Sequence, residues 1–302
     1  MTGKRKVWIV AILLLALVIV NWSLGAWNKK QDERESKEAE AAKIYLVDAE
    51  DITAYSYNNG ESEMSFTRTD DGWCYDEDTE IPMNQDTIQS TADSIAGMTA
   101  VRQLDEPDEL ADYGLDSPMY TIAYKDSAGS ESAIYIGNGA GENYYATVGD
   151  TGKVYTISSD FLNLMQFELA GLVQYDTVPS IGSGNLKQVT VTDSEEESVY
   201  KEDDELAELA GGFGTIALTD CADYHVAEND LPEYGLDEEH RTTVTAEYTD
   251  NASGEDEKFL LYVGSLDDSG ENRYVTVKDS AMVYKVSDAI VRNLMTVDEG
   301  EE

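Results

Sequence analysis

The outer part of this chain repeats itself, and that repetition constrains the fold more than any other feature. Tyr113-Gly114-Leu115-Asp116 recurs as Tyr234-Gly235-Leu236-Asp237, and Ile134-Tyr135-Ile136-Gly137 as Leu261-Tyr262-Val263-Gly264. Tyr145-Ala146-Thr147-Val148 recurs as Tyr274-Val275-Thr276-Val277, and Val154-Tyr155-Thr156-Ile157-Ser158 as Val283-Tyr284-Lys285-Val286-Ser287. Asn163-Leu164-Met165 recurs as Asn293-Leu294-Met295. The matches are collinear and their offset grows along the chain, as small loop insertions between equivalent elements would produce. The chain reads as a duplication.

Each copy mixes strands with short helices. Tyr120, Ile122 and Tyr124 alternate with Met119, Thr121 and Ala123, the period of a half-buried strand. Lys125 to Gly129 turns the chain and Ala133 to Ile136 returns it; Val244 to Tyr248, Asn251 to Gly254 and Phe259 to Val263 do the same in the second copy. Two more strands follow in each copy, near 144–148 and 154–157 and near 273–277 and 283–286. Ser158 and Ser287 are then placed to cap short helices. In front lie opening strands, Asp51 to Asn58 and Leu186 to Thr192, with partners Glu63 to Arg68 and Ser198 to Glu202. The first copy adds Trp73-Cys74-Tyr75 and a helix capped by Asn84, with Ile88, Ala92 and Ile95 on one face. The second has a shorter equivalent, Leu206, Leu209 and Ala210, ending at Gly211-Gly212.

Ahead of the repeats, Lys4-Arg5-Lys6 precede an apolar run. As a helix, Val7 to Trp27 is long enough to cross the ~30 Å hydrocarbon core. Trp8, Trp22 and Trp27 stand near its ends, as interfacial aromatics do, and the basic start places the N-terminus in the cytoplasm. A cleaved signal peptide is the rival reading; its small-x-small cleavage site is poorly formed here. Asn28 to Lys43 is a charged, helix-favouring stalk. The expected organisation is a basic start and transmembrane anchor over 1–27, the stalk over 28–43, a first repeat over 44–166, a linker over 167–183, a second repeat over 184–296 and an acidic tail over 297–302. The expected fold class is α+β: an N-terminal transmembrane helix, then two tandem, duplicated, mostly antiparallel β-sheet units, each with one or two short helices.

The chain has 20 Lys and Arg against 62 Asp and Glu, a net charge of −42, and its basic residues are concentrated in the first 43. An ectodomain this acidic repels phosphate backbones, which argues against nucleic acid as a partner. Its acidic runs, among them Asp76–Glu80 and Asp105–Glu109, lack the ligand spacing of a calcium loop and read as solvated faces. Gly137-Asn138-Gly139-Ala140-Gly141 fails the dinucleotide fingerprint and reads as a hairpin loop. Leu231-Pro232-Glu233-Tyr234-Gly235 departs from a sorting signal at Tyr234 and lies mid-chain. No hydrolase, zincin or Walker pattern occurs, so no catalytic, cofactor or metal residues are expected. His225 and His240 read as loop or surface residues. Cys74 and Cys221 fall at non-equivalent places in the repeat, and nothing in the sequence decides whether they are oxidised.

The repeat signature residues Tyr113, Gly114, Leu115, Asp116, Tyr234, Gly235, Leu236 and Asp237 occur in both copies and read as structural. Gly would supply positive φ, Asp would close a turn, and Tyr and Leu would pack beneath. Trp73 has no twin in the second copy; it is either an exposed partner contact or a core residue, as large aromatics usually are.

Several of these segments together carry a resemblance. They are Lys43-Ile44-Tyr45-Leu46-Val47-Asp48, Gly72-Trp73-Cys74-Tyr75, Asp105-Glu106-Pro107, Tyr113-Gly114-Leu115-Asp116-Ser117-Pro118 and Ile136-Gly137-Asn138. With the basic start and apolar run they resemble the bacterial domain of unknown function 4340 (DUF4340) family across about 44–296. The second copy departs from it, with Glu239 opposite Pro118 and no Trp element. The resemblance implies a membrane-anchored extracytoplasmic protein, associated in some relatives with ABC-type transport systems, and attaches no catalytic residues.

The expected function is therefore a non-enzymatic, membrane-tethered accessory or binding module of a cell-envelope complex, with an ABC-type transporter as the partner class. A tether raises effective concentration at a membrane partner. The alternatives are an envelope hydrolase using a carboxylate pair, which would need two carboxyls at set separation in a cleft, and a structural surface spacer.

Overall fold

The protein is described from a computed structural model, which covers residues 29, 31, 41–60, 62–163, 165, 168–194 and 196–297. The expected span from Val7 to Trp27, most of the stalk and nearly all of the acidic tail lie outside the described residues. Among the described residues no helix is long and apolar enough to cross a membrane.

The architecture is mostly antiparallel β with a few short helices. The first half runs β1 (Ile44–Tyr45), β2 (Ile52–Asn58), β3 (Glu63–Thr69), β4 (Gly72–Tyr75), α1 (Gln85–Ala96), β5 (Thr99–Ala100) and β6 (Arg102–Gln103). After a 3-10 turn at Leu110–Tyr113 come β7 (Tyr120–Asp126), β8 (Glu131–Ala140), β9 (Asn143–Val148), β10 (Tyr155–Ser158) and α2 (Asp160–Asn163). The second half runs β11 (Leu186–Thr192), β12 (Glu197–Tyr200), α3 (Asp203–Phe213) and β13 (Cys221–Asp223). A 3-10 turn at Glu228–Tyr234 then leads to β14 (Thr242–Thr249), β15 (Asp256–Leu266), β16 (Asn272–Val277), β17 (Val283–Ser287) and α4 (Asp288–Arg292).

One sheet is ordered β4-β3-β2-β7-β8-β9-β10-β6 and another β12-β11-β14-β15-β16-β17-β13; β1 and β5 form a separate pair. Apart from β4, the two orders correspond strand for strand. The irregularities correspond too: register shifts between Ile136 and Gly139 in β8, and between Val263 and Leu266 in β15. The register of pairing fixes residue equivalence. Tyr120 pairs with Ile136 and Thr242 with Val263, so Met119 stands at the position of Arg241.

By packing, the chain forms two compact units. One holds the described residues up to Thr53 with Tyr57–Glu63 and Ala92–Asn163; the other holds Ala54–Ser56, Met64–Thr91 and the described residues from 165 onward. In the first unit Ile122, Ile134, Ile136, Ala146 and Ile157 are buried along alternating strand positions. A small cluster of Tyr113, Leu115 and Val154, with Leu104, Leu110, Tyr135 and Tyr145 against it, packs as a satellite core. In the second unit Val189, Val244, Leu261, Val275 and Tyr284 are buried, and Tyr55, Phe66, Trp73 and Tyr75 form an aromatic group.

Local expectations meet three differences. Asn84 caps α1, its Oδ1 accepting from Thr87 N at 3.0 Å, and Asp160 N donates to Ser158 Oγ at 3.2 Å. Ser287 stands at the N-cap of α4 but its hydroxyl makes no capping hydrogen bond. The strand expected to reach Glu202 stops at Tyr200, because Glu202 and Glu205 form a capping box that opens α3 instead. That helix continues through Gly211-Gly212 to Phe213. Gly212 is needed there for close approach, since a Cβ would lie 2.5 Å from the carbonyl oxygen of Asn293.

Candidate functional site

The repeat signature turns the chain over a strand in each half, and two glycines make each contact. Gly114 has φ 69° and Gly235 φ 66°, the left-handed conformation that closes the 3-10 turns. Opposite them, a Cβ on Gly137 would lie 2.3 Å from the carbonyl oxygen of Tyr113, and one on Gly264 would lie 2.1 Å from that of Tyr234. The tyrosine of each motif meets the equivalent tyrosine of the later strand: Tyr113 and Tyr145 have ring centroids 4.7 Å apart, and Tyr234 and Tyr274 5.0 Å. Leu115 and Leu236 are buried.

Beside the motif the halves differ. In the first, a cavity of about 410 Å³ is lined by Leu115, Asp116, Pro118, Tyr135, Thr147 and Asp150, with Leu110 and glycines at its edge. Thr147 is 2% exposed, and its Oγ1 is buried without a hydrogen-bond partner among the described residues. Neither Asp116 nor Asp150 has an ion-pair or hydrogen-bond partner among the described residues.

In the second half each equivalent group has a partner from its own chain. The guanidinium carbon of Arg241 lies 3.8 Å from the ring centroid of Tyr262, the counterpart of Tyr135. Asp237, the counterpart of Asp116, accepts from His240 Nδ1 at 2.8 Å, and this carboxylate raises the imidazole above its usual pKa. Asp279, the counterpart of Asp150, is 3.9 Å from Lys278 Nζ. Thr276, the counterpart of Thr147, donates to the Val277 carbonyl at 3.3 Å.

A second cluster gathers Asp78, Glu80 and His225, whose ligand atoms all lie within 4.8 Å of one another. Asp78 Oδ2 is 2.7 Å from His225 Nε2, whereas Glu80 Oε2 is 3.6 Å from Nδ1. The carboxylates address opposite edges of the ring, so one ion would not be held by both together with the imidazole. The arrangement favours the protonated imidazole. The hydrogen bond raises the His225 pKa and lowers that of Asp78. His225 N also donates to Asp223 Oδ1 at 3.0 Å, and Tyr234 Oη donates to Asp223 Oδ2 at 3.1 Å. Both histidines lie in loops, as expected; what the sequence did not show is their carboxylate partners, which for His225 lie as far as 147 residues away.

Trp73 does not offer a surface to a partner. It is 4% exposed, T-stacked on Tyr55, with Nε1 donating to Gln89 Oε1 at 2.8 Å. It fills core space because β4 turns it inward and Gln89 of α1 satisfies its one donor. Cys74 and Cys221 are free thiols. Burial pushes the Cys221 thiol up to about 11, which removes it as a nucleophile near neutral pH.

The model of a family described as a domain of unknown function (DUF4340) matches residues 73–210, from β4 into α3. This is shorter than the 44–296 that the sequence resemblance implies. No curated protein and no solved structure matches the chain.

Proposed function

Over residues 73–210 the chain belongs to the DUF4340 family, and we propose that it is a non-enzymatic, membrane-tethered binding module of the cell envelope. Val7 to Trp27 anchors it, the N-terminus lies in the cytoplasm and the repeats stand outside. It acts as an accessory subunit of an envelope complex, with an ABC-type transporter as the partner class that the family resemblance implies.

One observation carries this reading. The two halves share a strand order and a signature, yet one closes its aromatic–carboxylate surface with its own cations and the other leaves a cavity of about 410 Å³ there, within the size range of ligand sites. A scaffold that keeps its frame and opens one of two equivalent surfaces is suited to recognition.

The test is to purify the full-length protein from native membranes after mild crosslinking and identify what accompanies it by mass spectrometry. Recovery of permease or ATPase subunits, lost when residues 1–43 are replaced by a secretion signal, is the expected result. Recovery of nothing beyond an unrelated anchored control would overturn the accessory role in favour of a spacer.

A further inference from the structure

We infer that the cavity of the first repeat is a binding site for a guanidinium group, and that the second repeat carries the same site filled from within. The inference rests on the reading of the protein as a binding module and names what the module binds.

Arg241 stacks on Tyr262 at 3.8 Å, and its Nη2 lies 3.8 Å from Glu238 Oε1. A planar cation over an aromatic face with a carboxylate at its edge is the arrangement that guanidinium favours over ammonium. The strand register places Met119 where Arg241 stands, and Met119 is 50% exposed. Tyr135 therefore keeps the aromatic ring of the site without the cation. Asp116 and Asp150 line the same cavity without partners among the described residues, whereas Asp237 and Asp279 face His240 and Lys278. The buried Thr147 hydroxyl adds a polar group that its counterpart Thr276 has already committed.

A ring, two carboxylates and a hydroxyl thus line the cavity of the first repeat, and the self-supplied cations of the second are missing from it. Leu115 and Pro118 provide apolar wall for the methylene stem of an arginine or a similar guanidino compound. The source is either a free guanidino compound or an arginine side chain of a partner protein, and the two share this chemistry.

Isothermal titration of the full-length protein in detergent with N-acetyl-arginine-amide tests the assignment, with the citrulline and lysine analogues as controls. The expected result is one site with a dissociation constant on the order of 1 mM. Citrulline should give no heat and lysine should bind several-fold more weakly. Asp116→Asn with Asp150→Asn should weaken binding about tenfold, as expected when two carboxylates lose their charge. Met119→Arg should abolish binding by supplying the cation internally, and Arg241→Met should raise the stoichiometry from one towards two. An arginine-containing peptide that binds more tightly than the amide assigns the site to a partner protein; equal affinity assigns it to a small guanidino compound. No heat with arginine, or binding unchanged by Met119→Arg in a variant with wild-type melting, overturns the inference. No heat with arginine while envelope partners are still recovered would overturn it and leave the accessory role standing. Arginine binding with no envelope partner would overturn only the accessory role.

Discussion

His225 Nε2 stands 2.7 Å from Asp78 Oδ2, tying the loop after β4 to the loop after β13, while Glu80 faces the other ring nitrogen at 3.6 Å. The pKa directions of His225 and Asp78 make the tie dependent on pH. The His225 pKa is raised, chiefly by the hydrogen bond to Asp78, so its contribution to stability is fully present below the ordinary value of 6.5. It is lost as pH rises through the raised folded value. The Asp78 pKa is lowered, so its contribution is present above 3.8 and lost as pH falls through the depressed value. Both hold in the window between. His225→Gln should lower the melting temperature at about pH 5.5, and the difference from wild type should shrink by about pH 8.5. A difference that stays constant across that range would refute the tie.

Gly137→Ala tests the close approach of the signature to the strand. The new Cβ would meet the Tyr113 carbonyl oxygen at 2.3 Å, and backbone cannot step aside as a flexible side chain can. A loss of about 3 kcal/mol in denaturant unfolding is expected. Gly139→Ala, with open space at its Cβ, should cost less than about 1 kcal/mol. Similar losses at the two positions would refute the contact.

Trp73→Phe should cost about 1 kcal/mol through the lost donor to Gln89, and Trp73→Ala about 3–5 kcal/mol through the cavity left among Tyr55 and its neighbours. Both are read by chemical denaturation. A neutral Trp73→Ala would return this residue to the surface.

Cys221 should resist alkylation while folded. A thiol moved from 9.0 to about 11 carries about a hundredfold less thiolate near neutral pH. Peptide mass spectrometry after iodoacetamide at about pH 7.5 should show labelling at Cys221 slowed by at least tenfold relative to the same protein in denaturant. Equal rates would contradict the burial.

Much of the fold was legible because its elements announce themselves locally. Alternation marked β7 and β14, turn residues marked the hairpins, and Asn84 with Ile88, Ala92 and Ile95 marked α1. Two readings turned on tertiary contact rather than local preference. Gly211-Gly212 looks like a stop, yet α3 runs through it because Gly212 is the close-approach point against Asn293. Trp73 could be core or contact by composition, and only the position of Gln89 decides which.

By itself the sequence determined the repeat, the paired signature glycines and the strand alternation, because period and steric need are written into neighbouring residues. Only the tertiary structure decided which side chains meet. Arg241 on Tyr262, Met119 in the same register position, and His225 on Asp78 are pairings made across strands and loops far apart in the chain. Two copies of one pattern therefore look alike in sequence, while their surfaces differ in the side chains that cover a tyrosine and face its neighbouring carboxylates.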